Sequence, residues 1–498
     1  MLSKSDFTTA LDCPKKLWLS RHLPELKEAI APTALRRMRI GTEVGLLAKR
    51  RFPSGVTIPV WELGNEPAAA KTEELMATGQ DVLFEATFLQ DDLVARLDVL
   101  KREESGWRII EVKATTKYKK PGHLLDVAFQ ASLFARCGHP LSGASLMHID
   151  TNYVWDGGDW HVDNLFKIEE ITDDVVKILP QIPDQATSFL NLINQAEYPS
   201  FDGEAPYYDP VIHSSCKGCE FAKHCTPRVP ADHIHYLGLH HSRSKKLLAD
   251  GIRAIGGVPK DLKLSDTERL RYQAFVTEKP AVSGDLDSRL AEIQYPAHLI
   301  DFETFRPDLP LFAGHSPFLM LPFQWSCHTL NAAPDWSVTD QSIGHTEFLH
   351  QHRSDPREAF IQSLLAQIST GGSILHYHDF EKQVINEMVK DRVPGADQVQ
   401  AMFDRFIDLR KILEDCYADA KFLGKTSIKN VLPVVAPTLS YSGLNIQNGD
   451  QAQVAYASML AGELGNDQAK QLFADLLEYC KLDTWAMVEI LKALSAVA

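Results

Sequence analysis

The stretch HLIDFETF, residues 298–305, constrains the fold more than any other part of the chain. His298, Leu299 and Ile300 read as the end of a buried strand. Side chains alternate along a strand, so Asp301 and Glu303 point one way and Phe302 the other. Two carboxylates held that close repel, and each raises the other's pKa unless a cation sits between them. A core strand of this kind predicts a divalent-metal site on one face of a sheet.

Partners for these acids must come from elsewhere in the chain. YCKLDTWAMVEIL places Tyr479 and Asp483 four apart, on one helical face. LHYHDFEKQVINEM puts Asp379 and Glu381 where a strand passes into a helix. Three acidic segments meeting at one sheet edge would hold two Mg²⁺ or Mn²⁺ ions, the clamp for in-line phosphoryl displacement. Tyr479 would orient the attacking water or help deprotonate it. His376 and His378 share a strand face, which fits either an approach to substrate or a satisfied strand end. Asp408, in FIDLRKIL, is open between a fourth acid and a strand-end residue.

A second constellation lies nearer the N-terminus. DVLFEATFLQDDLVARLDVLKREESGWRIIEVKAT predicts three consecutive strands in a meander. It puts Asp98 on one strand and Glu111 with Lys113 on the next. Two acids and a lysine can hold a metal, activate water and offer a cation to a phosphate. A cross-strand ion pair on a solvated face is the competing reading. The helix LLDVAFQASLFARCG returns Gln130 toward the hairpin, and ALRRMRIGTEVGLLAKRRF predicts a helix before it.

At 498 residues the chain exceeds what one core covers, so several domains are expected. The pattern divides it at 1–228, 229–290 and 291–498. SDTERLRYQAF, with a capping start, marks the middle region as a helical link. The last region opens with strands at HLIDFETF, PFQWSCHTL and DWSVTDQSI. The helix DPREAFIQSLLAQI, the strand SILHYH and further helices follow. The expected architecture is α/β, with an antiparallel start to the second sheet.

No run approaches a membrane span and the N-terminus is polar, so no membrane partner is expected and the cytoplasm is the default. The net charge of −15 argues against a chain-wide nucleic-acid surface. The first 120 residues, however, hold about 20 Lys and Arg against about 17 Asp and Glu, so the acidity lies downstream. KKLWLSRHL and ALRRMRI could track phosphates, with Trp18 available for stacking, or could be solvated faces.

Of eight cysteines, Cys216, Cys219 and Cys225 stand in HSSCKGCEFAKHC and Cys13 in TALDCPKKLWL. Thiolates at this spacing suit zinc or an iron–sulfur cluster, and spacing alone does not separate the two. Cys137, Cys327, Cys416 and Cys480 lack ligand spacing and read as buried thiols. His235, His240 and His241 read as packing or solvated residues of the middle region.

With these residues in view, 1–228 resembles the RecB-like branch of the PD-(D/E)xK nucleases, and within it the CRISPR-associated exonucleases with a four-cysteine cluster. The resemblance rests on LDCPKKLWL, RLDVL, IIEVKAT, DVAFQASLF and CKGCEFAKHC. It implies a restriction-endonuclease-like fold, metal on Asp98 and Glu111, a catalytic Lys113, and Gln130 in the active site. It also implies a 4Fe–4S cluster on Cys13, Cys216, Cys219 and Cys225, with zinc as the alternative. The family's early helix often ends G-x-x-x-H; GTEVG has Gly45 there, and Glu43 is the candidate substitute ligand.

Residues 295–498 resemble the DEDD exonucleases of the RNase H-like superfamily, of which DnaQ is the familiar example. Asp301-x-Glu303 matches the first motif and Tyr479-x3-Asp483 the third, while Glu381 stands where an aspartate is usual. The resemblance implies 3′→5′ removal of nucleotides with metal on Asp301, Glu303, Glu381 and Asp483. The whole chain resembles an uncharacterised bacterial family that fuses these two nuclease types. The expectation is a metal-dependent nuclease, a 3′→5′ exonuclease on single-stranded nucleic acid with DNA favoured over RNA, serving repair or phage defence. A catalytically degenerate nucleic-acid-binding module of such an assembly is the alternative.

Overall fold

Ser3 opens the first helix, α1 (Lys4–Asp12), through a capping box with Asp6. Cys13 ends α1 and caps the next helix, α2 (Pro14–His22). A longer helix, α3 (Pro32–Lys49), precedes the predicted meander, which forms as β1 (Val82–Gln90), β2 (Leu93–Glu103) and β3 (Gly106–Lys113). Asp91 and Asp92 turn β1 into β2, both with positive φ, as a tight hairpin requires. After α4 (Gly122–Arg136), β4 (Leu141–Ile149) returns parallel to β3, and β5 (Phe166–Glu170) closes the sheet antiparallel to β4.

Alternation along these strands supplies two apolar faces. Leu97, Ile109 and Leu146 pack with Val127 and Phe134 of α4. Val99, Ile110 and Met147 pack with Ile40, Val44 and Leu47 of α3. Helices thus cover both faces of a mixed sheet.

This computed structural model describes residues 1–30, 32–197, 218–225, 229–337, 343–369 and 371–498. It divides into two units: the N-terminal one, which also takes in Pro307–Leu319, and one holding Val229–Arg306 and Met320–Ala498. No helix among the described residues is long and apolar enough to cross a membrane.

The second unit is built on β6 (Ala297–Phe305), β7 (Leu321–Leu330) and β8 (Gly344–Leu349), all antiparallel. The helix α5 (Arg357–Ile368) leads to β9 (Ile374–His376), and α6 (Phe380–Lys390) leads to β10 (Phe406–Asp408). Sheet order is β8-β7-β6-β9-β10, with β9 parallel to both β6 and β10. The antiparallel start is as the pattern predicts. The third strand is not where DWSVTDQSI puts it: residues 336–337 are turn, 338–342 lie outside the described residues, and pairing begins at Gly344. The later helices of this unit include α7 (Ile428–Val435), α8 (Gly449–Ala461) and the long α9 (Asn466–Ser495).

The middle region is more than a link. Ile234, Leu237, Leu247 and Ile255 form their own buried cluster, and Ala281–Val282 pairs with Tyr417–Ala418. The capped helix is present at Asp266–Thr277, with Ser265 and Glu268 as its capping box. Shared strand pairing of this kind makes 229–290 part of the second unit.

Candidate functional site

On β6 the inward face carries Phe302, whose ring meets Phe360 edge-on at 4.9 Å, and the opposite face carries Asp301 and Glu303. Across the ladder, Ser326 sits beside Asp301 and Gln324 beside Glu303. These two neighbours anchor α9: Gln324 Nε2 donates to Leu476 O at 2.7 Å, and the Ser326 and Thr484 hydroxyls meet at 2.8 Å. That anchoring sets Tyr479 and Asp483 against β6. Ligand oxygens of Asp301, Glu303 and Asp483 all lie within 4.8 Å of one another, so an acid pair on β6 and a carboxylate from α9, 180 residues beyond Glu303, form one cluster.

The electrostatics are those of a site short of positive charge. Burial, then the charges of Asp483, Glu381 and Glu303, push Asp301 well above the usual carboxylate range. Burial and Asp483 push Glu303 up to about 8. Burial raises Asp483 to about 6, against hydrogen bonding from Tyr441 and the charge of Lys429. Tyr441 donates to Asp483 Oδ1 at 2.6 Å. Lys429, on α7, donates to Gln447 O at 2.7 Å and to the Tyr479 hydroxyl at 3.3 Å. A divalent cation held between these oxygens would relieve the repulsion that lifts these pKa values.

Tyr479 lies where expected, but its chemistry is narrower. Burial and the surrounding carboxylates hold its hydroxyl protonated far above the ordinary tyrosine range. Its hydroxyl bonds Asp483 and accepts from Lys429.

Glu381 stands outside the three-carboxylate group. It starts α6, is 2% exposed, and its Oε2 is buried without a hydrogen bond, 3.7 Å from His376 Nδ1. Burial, then Asp408 and Asp379 among its neighbours' charges, raise it to about 8. It feels Asp483 and is felt by Asp301, so it borders the cluster electrostatically. His376 is fully buried, with Nδ1 bonded to the His378 carbonyl, and His378 holds a left-handed φ of 95°. The two histidines therefore do not present a common strand face. Asp408 is a capping residue, accepting from Lys411 N and His378 N.

The first unit assembles the other constellation. Lys113 Nζ lies 2.8 Å from Glu111 Oε1, and Gln130 Nε2 donates to Glu111 Oε2 at 2.7 Å. Asp98 Oδ2 accepts from Val112 N at 2.8 Å. Burial and the charge of Glu111 push Asp98 up to about 7. Burial alone would raise Glu111, yet Lys4 and Lys113 hold it well below the ordinary value. Against burial, Glu111 and Asp126 keep the Lys113 ammonium charged, at about 12.

Two residues here escaped the sequence reading. Lys4 Nζ lies 2.7 Å from Glu111 Oε1 and 3.6 Å from Asp126 Oδ1, and Asp126 also pairs with Lys113. Asp126 was legible, since DVAFQ sets it one helical turn before Gln130. Lys4 carried no signal. In the second unit, Lys429 sits in the quoted SIKNVLP, and Tyr441 had no pattern. Both oxygens of Glu111 meet protein donors, and Lys4 and Lys113 supply positive charge where a divalent ion would otherwise supply it.

At the proposed substitute ligand, Glu43 is exposed and does not line the cleft beside Asp98, whereas Gly45 does. Trp18 is not available for stacking: it is 6% exposed and donates Nε1 to Gln195 O. Cys480 is buried, as expected, and its Sγ contacts Asp301 Oδ2 at 3.6 Å. Cys327 and Cys416 are buried, and Cys137 is partly so.

Cys219 and Cys225 pack against Trp18, Leu19 and Phe221. Cys13 lies within electrostatic reach of Cys219, and Lys16 of α2 pairs with Glu220 at 2.8 Å. Backbone N–H groups of Lys16 and Phe221 point at the Cys13 and Cys219 sulfurs, each at 3.4 Å. Such donors suit a thiolate-held group. Cys216 lies outside the described residues.

A family described as "Domain of unknown function (DUF2779)" matches residues 298–427, a stretch that contains Asp301, Glu303 and Glu381 but not Asp483. "Uncharacterized protein MG366 homolog" of Mycoplasma pneumoniae is 32% identical over 129 residues, covering 24% of this chain and 19% of its own length. "Uncharacterized protein MG366" of Mycoplasma genitalium is 30% identical over 124 residues, covering 22% and 18%. The chain thus matches about a fifth of the length of these curated relatives. A solved structure titled "Crystal structure of SSO0001" overlaps 45% of this chain and 98% of its own at 19% identity, with a TM-score of 0.18, too low to assign a fold.

Proposed function

We propose that the second unit is a divalent-metal-dependent nuclease centre of the RNase H-like kind, a 3′→5′ exonuclease on single-stranded nucleic acid with DNA favoured. One observation carries the reading: Asp301, Glu303 and Asp483 offer ligand atoms within 4.8 Å of one another in a buried setting. The orphaned Glu381 Oε2 beside them supports it, as does a mixed sheet with an antiparallel start. Asp301, Glu303 and Asp483 would hold the ion, with Glu381 at its margin. A bound Mg²⁺ or Mn²⁺ would activate water and neutralise charge on the phosphate. Tyr441 fixes Asp483, Tyr479 orients water, and Lys429 supplies a fixed positive charge. The direction of cleavage rests on the D-x-E and Y-x3-D resemblance.

A second reading applies to the first unit, and the Lys4–Glu111 ion pair favours it. Asp98, Glu111, Lys113 and Gln130 form a PD-(D/E)xK-like centre whose cation place is held by an ammonium. Such a unit grips single-stranded nucleic acid, with a thiolate-held 4Fe–4S cluster, or zinc, joining α2 to the cysteine segment. A cytoplasmic repair or defence setting accompanies this reading.

The test is release of mononucleotides from 3′-labelled single-stranded DNA and RNA in Mg²⁺ or Mn²⁺. Wild type and Lys113→Ala should degrade, and Asp301→Ala should not. Retention of substrate without cleavage by wild type would leave a binding module instead.

A further inference from the structure

β7 turns Gln324, Ser326 and His328 to one face, and all three bond residues of α9. His328 Nδ1 lies 2.8 Å from Thr484 Oγ1, and Ser326 Oγ lies 3.0 Å from His345 Nε2 on β8. His328 and His345 are cross-strand partners with ring centroids 4.5 Å apart. Ser326 and Thr484 are fully buried, and His328 is 2% exposed. A chain of polar side chains thus runs from the edge strand of the sheet, through its neighbour, to the helix that carries Tyr479 and Asp483.

The protons in this chain run one way. Thr484 Oγ1 sits 3.1 Å from Lys481 O, which can only accept, so the one hydroxyl proton of Thr484 goes there. Thr484 must then accept from its other two neighbours, the Ser326 hydroxyl and His328 Nδ1–H. Ser326, having donated, accepts from His345 Nε2–H. Burial, then His345 and Lys481, push His328 down to about 3, and burial, then Lys481, lower His345. Both rings are neutral near pH 7, each with a single N–H, and the chain assigns them opposite tautomers. Glu347 Oε2, 3.7 Å from the same His345 nitrogen, is too far for a hydrogen bond.

A buried chain of this kind is an unfavourable way merely to hold a helix. Apolar side chains of the same size would grip α9 as tightly, since each of these polar groups must give up water. What the polar set adds is register. A rotation or slide of α9 by one residue would leave Ser326, His328 and Thr484 unpaired in the interior, whereas an apolar face would tolerate it. The carbonyl that ends the chain, Lys481 O, lies in the helical turn between Tyr479 and Asp483. We propose that His345 is a remote positioning residue of the second centre, setting through Ser326 and Thr484 the rotation of α9 that brings Asp483 to Asp301 and Glu303. The proposal rests on the metal-centre reading of that cluster and deepens it.

Titration calorimetry of the full chain with Mn²⁺ tests this without calling on catalysis. His345→Leu should weaken Mn²⁺ binding about ten-fold with the number of ions unchanged, and Ser326→Ala should do the same. His345→Gln should bind within about two-fold of wild type, because its amide N–H takes the place of Nε2–H. Adding His345→Leu to Ser326→Ala should change nothing further, since Ser326 is the link through which His345 acts. A residue that merely packs would behave differently: glutamine would not rescue, and the two losses would multiply in the double variant. Either result overturns the proposal, as does wild-type affinity in His345→Leu. If wild type binds no Mn²⁺, the metal-centre reading fails and the proposal with it. Loss of bound ions together with the folded far-UV spectrum, in His345→Leu and His345→Gln alike, would mark a structural residue and overturn it too.

Discussion

Lys4 Nζ and Glu111 Oε1 lie 2.7 Å apart, joined across 107 residues of sequence. The ammonium lies against Glu111, one of the two carboxylates, with Asp98, that the resemblance makes metal ligands. Replacing it with a neutral side chain leaves Glu111 with Lys113 and Gln130 and frees one lone-pair direction. Lys4→Met should therefore raise the number of Mn²⁺ ions bound per chain, read by titration calorimetry in an Asp301→Ala background. Unchanged stoichiometry would mean that the first centre has no cation place to vacate. Thermal stability without metal should fall by about 1–3 kcal/mol, because one partner of a largely buried pair is lost.

The second centre should behave in the opposite sense. Its carboxylates repel, so neutralising one relieves the metal-free fold. Asp301→Asn should melt higher than wild type in EDTA, by roughly 2–4 °C for about 1 kcal/mol. It should lose the rise that Mn²⁺ gives wild type. A variant that melts lower in EDTA would show that Asp301 is satisfied by contacts within the protein.

The pH dependence follows from the same repulsion. Glu303 and Glu381 are raised to about 8 and Asp483 to about 6 in the folded chain. Groups raised on folding contribute stability that is present below their ordinary values near pH 4–4.5. That stability is lost as pH climbs through the folded values. The metal-free second unit should thus weaken from about pH 4.5 to about pH 8, and added metal should restore it most at the alkaline end. Metal binding should release protons near pH 6.5 and fewer near pH 8.5, measurable by calorimetry in buffers of different ionisation enthalpy. Equal release at both would contradict the raised carboxyls.

Much of this was legible in short-range pattern. Alternation put Asp301 and Glu303 on one face, and helical spacing paired Tyr479 with Asp483, since both rules depend only on backbone period. Lys4 reached Glu111 through tertiary packing of α1, and no period links positions so far apart. Trp18 shows the same limit: its basic, aromatic surroundings make it a stacking candidate, and only its burial removes it. The strand at Gly344–Leu349 was misplaced by several residues because DWSVTDQSI has alternation of its own, while pairing to β7 begins farther on. Glu381 lies at the predicted strand-to-helix junction, yet the side chain stays outside the carboxylate group, a distance that spacing does not encode.

The cysteine segment makes a compositional prediction. Protein isolated without air should contain iron and sulfide, or else zinc, at a fixed ratio to chain by elemental analysis. Cys219→Ser should lower that content and loosen the packing of Trp18 against Phe221, seen as faster proteolysis between α2 and the cysteine segment. Full metal content in the variant would remove Cys219 from the ligand set.

Tyr441 offers the sharpest separation of positioning from chemistry in the second unit. Its hydroxyl donates to Asp483 Oδ1 at 2.6 Å, and it stacks under Lys429, 5.2 Å from the ring centroid. Tyr441→Phe keeps the ring, and so the lysine, but withdraws the hydrogen bond that holds Asp483 ionised and aimed. Burial is then opposed only by Lys429 and Tyr479, and the Asp483 carboxyl should titrate higher than in wild type. Metal affinity should fall about 10–100-fold, the usual cost of removing a group that orients a ligand. Activity should recover when Mn²⁺ is raised, because the ligands themselves are intact. Tyr479 also bonds Asp483, so Tyr479→Phe should raise the Mn²⁺ requirement as well, and in addition lower kcat at saturating metal, where Tyr441→Phe recovers. If both variants lose rate at saturating metal to the same degree, the two hydroxyls share one role and the division between them fails.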